Sequence, residues 1–165
     1  MTQDGISTEE WDRVHAVAVD IVNASAIDDD VLCAHHTERI LDLLDELEAA
    51  YGRIPSILDT RADYTSDPIV AIALYEEALA ASENQKLSSL ILPSLIRLKI
   101  QERHDESSIS DRLVELGRMI DTDRNSFELD DLLELQSDFE ELKRQNKSSL
   151  PTGMNTTTST PTALP

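Results

Sequence analysis

The sequence predicts an all-α fold of six or seven antiparallel helices over residues 7–145, followed by a tail rich in Ser, Thr and Pro. Three observations lead there. Aliphatic residues recur at three- and four-residue spacing through most of the chain, the period of one helix face. Glycines total 4 and aromatics are 4% of 165 residues, too few for the turns and packing of a β-sandwich or barrel. Several segments open on a helix-start signal.

Ser7 and Glu10 form an S-x-x-E capping box, so the first helix is expected from Ser7, with Trp11, Val14, Ala18, Ile21 and Val22 on one face. Asp28, Asp29 and Asp30 precede the second helix, where acidic residues cap free N–H groups and suit the helix dipole. Its stripe is Leu32, His36, Ile40, Leu44, Leu47 and Tyr51, ended by Gly52. Pro55 suits the first turn of a short third helix ending near Asp63. Asp67-Pro68 marks the fourth, an Asp cap followed by proline at the first helical position. Its buried face is Ala71, Leu74, Tyr75, Ala78 and Leu79.

The segment from Lys86 to His104 is helical in period but contains Pro93, so either the helix is kinked there or Pro93 lies in the first turn of a helix starting near Leu92. Ser108 is expected to open the sixth helix. In the seventh, Phe127 to Gln145, Leu132, Leu135, Phe139 and Leu142 approach a heptad seam, able to close the bundle or to pair with another chain. From Asn146 the composition changes. Residues 146–165 have little apolar surface to offset the cost of ordering, so the expectation is a disordered tail.

The segment Gly52 to Gln85 resembles a tetratricopeptide repeat, a 34-residue helix pair. Leu58 falls on the first helix's Leu position. Ala71, Tyr75 and Ala78 fall on the small, aromatic and small positions of the second. Pro55, Asp59, Ala62 and Glu83 depart from the usual Trp, Gly, Tyr and Pro. The resemblance implies a helix-pair stack, with an irregular helical bundle as the alternative. It also implies a protein-binding role in which the first helix faces the partner, making Arg61 and Tyr64 the expected contacts.

Charge narrows the partner. There are 33 acidic and 14 basic residues, a formal charge of −19. Phosphates would be repelled, so nucleic acid is not an expected partner. No apolar run approaches the roughly 20 residues of a membrane-spanning helix. The expected partner is a protein, with a basic one as the charge-complementary case. The first residues show no signal-peptide pattern, which makes a cytoplasmic location the expectation.

Candidate chemistry is sparse. Cys33, His35 and His36 form a C-x-H-H cluster, but position 35 points away from the face that Cys33 and His36 share, and packing is the preferred role. Asp121, Asp123 and Asn125 have the spacing that opens an EF-hand loop. Ser126 stands where its glycine belongs and Leu132 where its bidentate Glu belongs, so a helix-capping loop is preferred. His15, His35, His36 and His104 are the general-base candidates near neutral pH, and none lies in a nucleophile motif. The expected function is therefore a non-enzymatic interaction module without cofactor. The runners-up are an acidic inhibitor or immunity-type protein covering a basic site, and a weak metal-binding protein.

Overall fold

The computed structural model describes residues 4–83, 85–123 and 126–148, with the backbone alone at 121–123 and 126–128. Seven α-helices and no strand occur among the described residues. They are α1 (Thr8–Ala26), α2 (Asp30–Tyr51), α3 (Pro55–Asp63), α4 (Pro68–Ala81), α5 (Gln85–Gln101), α6 (Glu106–Asp123) and α7 (Ser126–Ser148). None of the described helices is long and apolar enough to cross a membrane.

Local signals set most boundaries. Ser7 Oγ accepts the Glu10 N–H at 3.3 Å, Asp29 accepts the Leu32 N–H at 2.9 Å, and Asp67 accepts the N–H groups of Ile69 and Val70 at 2.9 and 3.3 Å. Each cap satisfies donors that the first helical turn leaves unpaired. Gly52 closes α2 at a φ of 80°, a left-handed conformation that a side chain would strain. The sixth helix differs from expectation. It starts at Glu106, because Asp105 is the cap and accepts the Ser108 N–H at 3.2 Å.

The core has three parts. Ile6, Val14, Val17, Ile40, Leu44, Leu47 and Ile57 join α1, α2 and the start of α3. Leu58, Ala71, Tyr75, Ala78, Ile91 and Leu95 belong to a second cluster across α3, α4 and α5. Leu92, Ile96, Ile109, Leu116, Leu135 and Phe139 belong to a third across α5, α6 and α7. Neighbouring residues serve different clusters: Ile57 and Leu58 on α3, Ile91 and Leu92 on α5. Successive residues turn by about 100° on a helix, so one helix can line two cores. Helix α5 is the hub and packs on α3, α4, α6 and α7.

That position explains Pro93. Helix α5 runs through it without a break. Proline gives no N–H to the preceding turn, at a cost of about 3 kcal/mol. Ile91, Leu92, Leu95 and Ile96 around it are fully buried, and each contributes about 1.5–3 kcal/mol. Burial outweighs the lost bond. An ion cluster built on one buried lysine adds a tie between helices. Lys99 on α5, only 5% exposed, donates to Glu76 of α4 at 2.5 Å and to Ser108 of α6 at 3.0 Å, and Arg112 of α6 also pairs with Glu76.

Three expectations about faces and ends are corrected. Val22 is exposed, and Val17 and Ala24 take the buried positions of α1, because α2 packs along the Val14–Val17 side. Leu32 is exposed and His36 half-buried, so the α2 stripe is buried only from Ile40 onward. Helix α7 continues to Ser148, and Asn146 donates to Glu106 at 2.9 Å, so the folded part extends past residue 145. Residues 149–165, most of the expected tail, lie outside the described residues. Truncation after Ser148 is expected to leave the thermal midpoint in calorimetry unchanged, since it removes few apolar groups. A drop would place part of residues 149–165 in the core. The α7 seam of Leu132, Leu135, Phe139 and Leu142 is buried within this chain, against α5 and α6.

Candidate functional site

A groove of about 360 Å³ opens where the C-terminal end of α3, the α3–α4 loop, α4 and α5 meet. Asp63, Thr65 and Ser66 line one wall. Pro68, Ala71 and Tyr75 form the α4 side, and Ser94, Arg97, Leu98, Gln101 and Glu102 the third. The Asp67 cap and Pro68 fix where α4 begins, and Thr65 Oγ1 donates to the Arg61 carbonyl at 2.7 Å, holding the loop to α3. The small side chain of Ala71 leaves the space that the groove occupies.

The polar centre is Tyr75. Its ring is 4% exposed, and its hydroxyl donates to Asp63 Oδ1 at 2.5 Å, with Ser94 hydrogen-bonded to the same hydroxyl. Burial, followed by the bond to Asp63, pushes the Tyr75 pKa well up, so it stays a protonated donor. Asp59 lies one helical turn before Asp63. Burial pushes its carboxyl up to about 7, and the charge of Asp63 adds to the rise. Asp63 is exposed as a residue, yet partial loss of water around its carboxyl raises its pKa, opposed by the bond from Tyr75. Across the groove Arg97 makes no ion pair among the described residues. The site thus offers an acidic side, a fixed hydroxyl, a free guanidinium, and amide and hydroxyl groups between them. That set suits hydrogen bonding to a peptide-like ligand with charges of both signs.

The residues singled out from sequence lie elsewhere. Arg61 is 18% exposed and donates to Asp45 at 2.7 Å, with Glu48 at 3.2 Å. Arg53 joins Glu48 at 2.8 Å and Glu77 at 2.6 Å. These pairs strap α2, α3 and α4 together, so Arg61 is already engaged within the chain. Tyr64 is half-buried against the N-terminal core. Cys33 is half-buried, and its thiol donates to the Ile21 carbonyl at 3.8 Å. His35 and His36 have ring centroids 5.5 Å apart, and His36 Nδ1 is buried without a hydrogen-bond partner. No group of three or more His, Cys, Asp or Glu among the described residues is placed to hold a metal ion. Asp121 and Asp123 fall in the last turn of α6, and Asn125 lies outside the described residues. None of the four histidines lines the groove.

Sequence reasoning missed Asp63, Ser94 and Arg97. The available signal was the like-charged pair Asp59 and Asp63 at i and i+4 on a short helix, an arrangement that disfavours ionisation of both. Comparison with protein-family models, with curated proteins and with solved structures finds no match to this chain.

Proposed function

We propose that this chain is a non-enzymatic protein-interaction module, a cytoplasmic adaptor that receives a segment of a partner protein in the α3–α4–α5 groove. The observation that carries the reading is the groove itself: a preformed hollow with a fixed donor at Tyr75 and opposite charges at Asp63 and Arg97. The order of packing supports it. Helix α3 contacts α5, and α5 contacts α7, while α4 and α6 each pack beside their neighbours in sequence. From α3 onward such a progression is what a tetratricopeptide-like stack of helix pairs would have, with α3, α5 and α7 succeeding one another; α1 contacts α2 alone.

The acidic-inhibitor reading is weaker. Three of the α2 carboxylates it would use, Asp45, Glu46 and Glu48, are paired with Arg61, Arg13 and Arg53. The test is a photoreactive benzoylphenylalanine in place of Gln101, in cells that make the protein. Discrete adducts with another polypeptide are expected, and Arg97→Glu should abolish them. Adducts that persist unchanged in Arg97→Glu, or no adduct at all, would remove the groove from the proposal.

A further inference from the structure

We propose that the α1–α2 hairpin is a hinged arm: it opens and closes on α3 as a unit, and when seated it holds one wall of the α3–α4–α5 groove. The hold on the groove matters for binding only if the groove is the binding site proposed above; the hinge stands apart from that reading. Helix α1 packs on α2 alone, and α2 packs only on α1 and α3, while α5 gathers α3, α4, α6 and α7. The hairpin has a core of its own. Beyond α2 that core takes one buried residue, Ile57, and the half-buried Ile54 and Tyr64. It shares no buried residue with the other two clusters. A unit with few apolar ties to its neighbours opens at a lower free energy than the whole chain unfolds.

Polar groups make up the rest of the seat. Asp4, before α1, accepts the Ser56 N–H at 2.7 Å and so caps α3, whose own cap residue Ile54 makes no side-chain bond to it. Arg61 of α3 is held by Asp45 and Glu48 of α2, and Arg53 runs from Glu48 to Glu77 of α4. Asp45, Arg53 and Glu77 are exposed, so water replaces their broken pairs at small loss. Arg61 Nε is buried without a hydrogen-bond partner while the arm is seated, and regains water when it lifts. The connection is short, and Gly52 in it has φ 80° and ψ −171°, a region open almost only to glycine. Without a Cβ, Gly52 can leave that region freely, which suits the pivot of a hinge.

Tyr64 links the arm to the groove. It stands at the C-terminal cap of α3 and packs against the hairpin's core, while its neighbours Asp63 and Thr65 line the groove. Seating the hairpin therefore fixes the turn that carries Asp63, the acceptor of the Tyr75 hydroxyl. Lifting it releases Tyr64 and lets that wall move. A partner that needs Asp63 in place binds the seated form, so the arm's equilibrium sets the fraction of the protein competent to bind.

Native-state hydrogen exchange of the full chain in rising, sub-denaturing urea reads the opening without any partner. The helical amides of α1 and α2 are expected to exchange through one opening of small urea dependence, ahead of those of α5. The Thr65 amide, which donates to the Ala62 carbonyl at 3.2 Å, should exchange with them. Asp45→Asn/Glu48→Gln alters side chains of α2 only, and should speed exchange in that set about fivefold while leaving α5 unchanged. Exchange of α1 and α2 in wild type at the same free energy and urea dependence as α5 would overturn the hinge. So would a double variant in which no hairpin amide accelerates. A Thr65 amide that keeps its rate while the hairpin accelerates would overturn the hold on the groove. Failure of the groove as a binding site would show in the cross-linking and leave all these rates unmoved.

Discussion

Asp59→Asn is expected to stabilise the protein at pH 8 by up to about 4 kcal/mol and to change it by less than about 1 kcal/mol at pH 4. The Asp59 carboxyl titrates at about 7 in the folded chain, against 3.8 when unperturbed. The three-unit difference, at about 1.4 kcal/mol per unit, sets the upper limit. The sign follows from proton binding. Well below 3.8 both states hold the proton and the shift contributes nothing between them. From about pH 4 to 7 the unfolded chain ionises while the folded chain retains its proton, so stability falls as the pH rises. Above about 7 the folded state carries a half-buried carboxylate, with Asp63 near it. Asparagine keeps the shape and has no charge to desolvate. Urea denaturation of both proteins at pH 4, 6 and 8 would read the effect, with the exposed Asp42→Asn as a control for net charge. Parallel curves for wild type and Asp59→Asn would show that the carboxyl is well solvated.

Local chemistry was the legible part of the fold. Ser7, Gly52, Pro55 and the Asp67-Pro68 pair each act within one turn of themselves, and the corresponding helices begin or end where those residues stand. What depends on a distant partner was not legible. Val17 and Val22 stand about 140° apart on α1, and the approach of α2 covers the Val17 side. Pro93 reads as a kink or a helix start because its cost is local. The four buried aliphatics that outweigh it owe their burial to α3, α4, α6 and α7. Asp105 and Ser108 both cap well, and Ser108 is drawn instead to Lys99.

The groove was hidden for a related reason. Asp63 and Arg97 are 34 positions apart in a chain with 33 acidic residues, so no pairing stands out from composition. Only the packing of α4 between them brings the two sides together. Arg61, close by in sequence, is a better-looking contact than Arg97 until α2 is in place. Asp45 and Glu48 then claim its guanidinium. The difference between a free and a committed arginine is a tertiary property.

Phe139→Ala is expected to cost about 3–5 kcal/mol. Phe139 is 7% exposed and belongs to the cluster that fastens α7 to α5 and α6. Alanine would remove the ring's burial and leave a hole that Leu113 and Leu135 cannot fill without moving. Lys143 Nζ lies 4.8 Å from the ring centroid, so its cation–π contact, worth about 0.5–1 kcal/mol at an exposed site, would go too. Because Phe139 also lines the cleft between α6 and α7, water can reach part of the hole, which favours the lower end of the range. Chemical denaturation measures the total, and hydrogen exchange along α7 locates it. The exposed Leu133, truncated to alanine on the same helix, should change stability by less than about 0.5 kcal/mol. Equal effects from the two substitutions would mean that α7 is not anchored through its Phe139 face, and the C-terminal cluster would have to be redrawn.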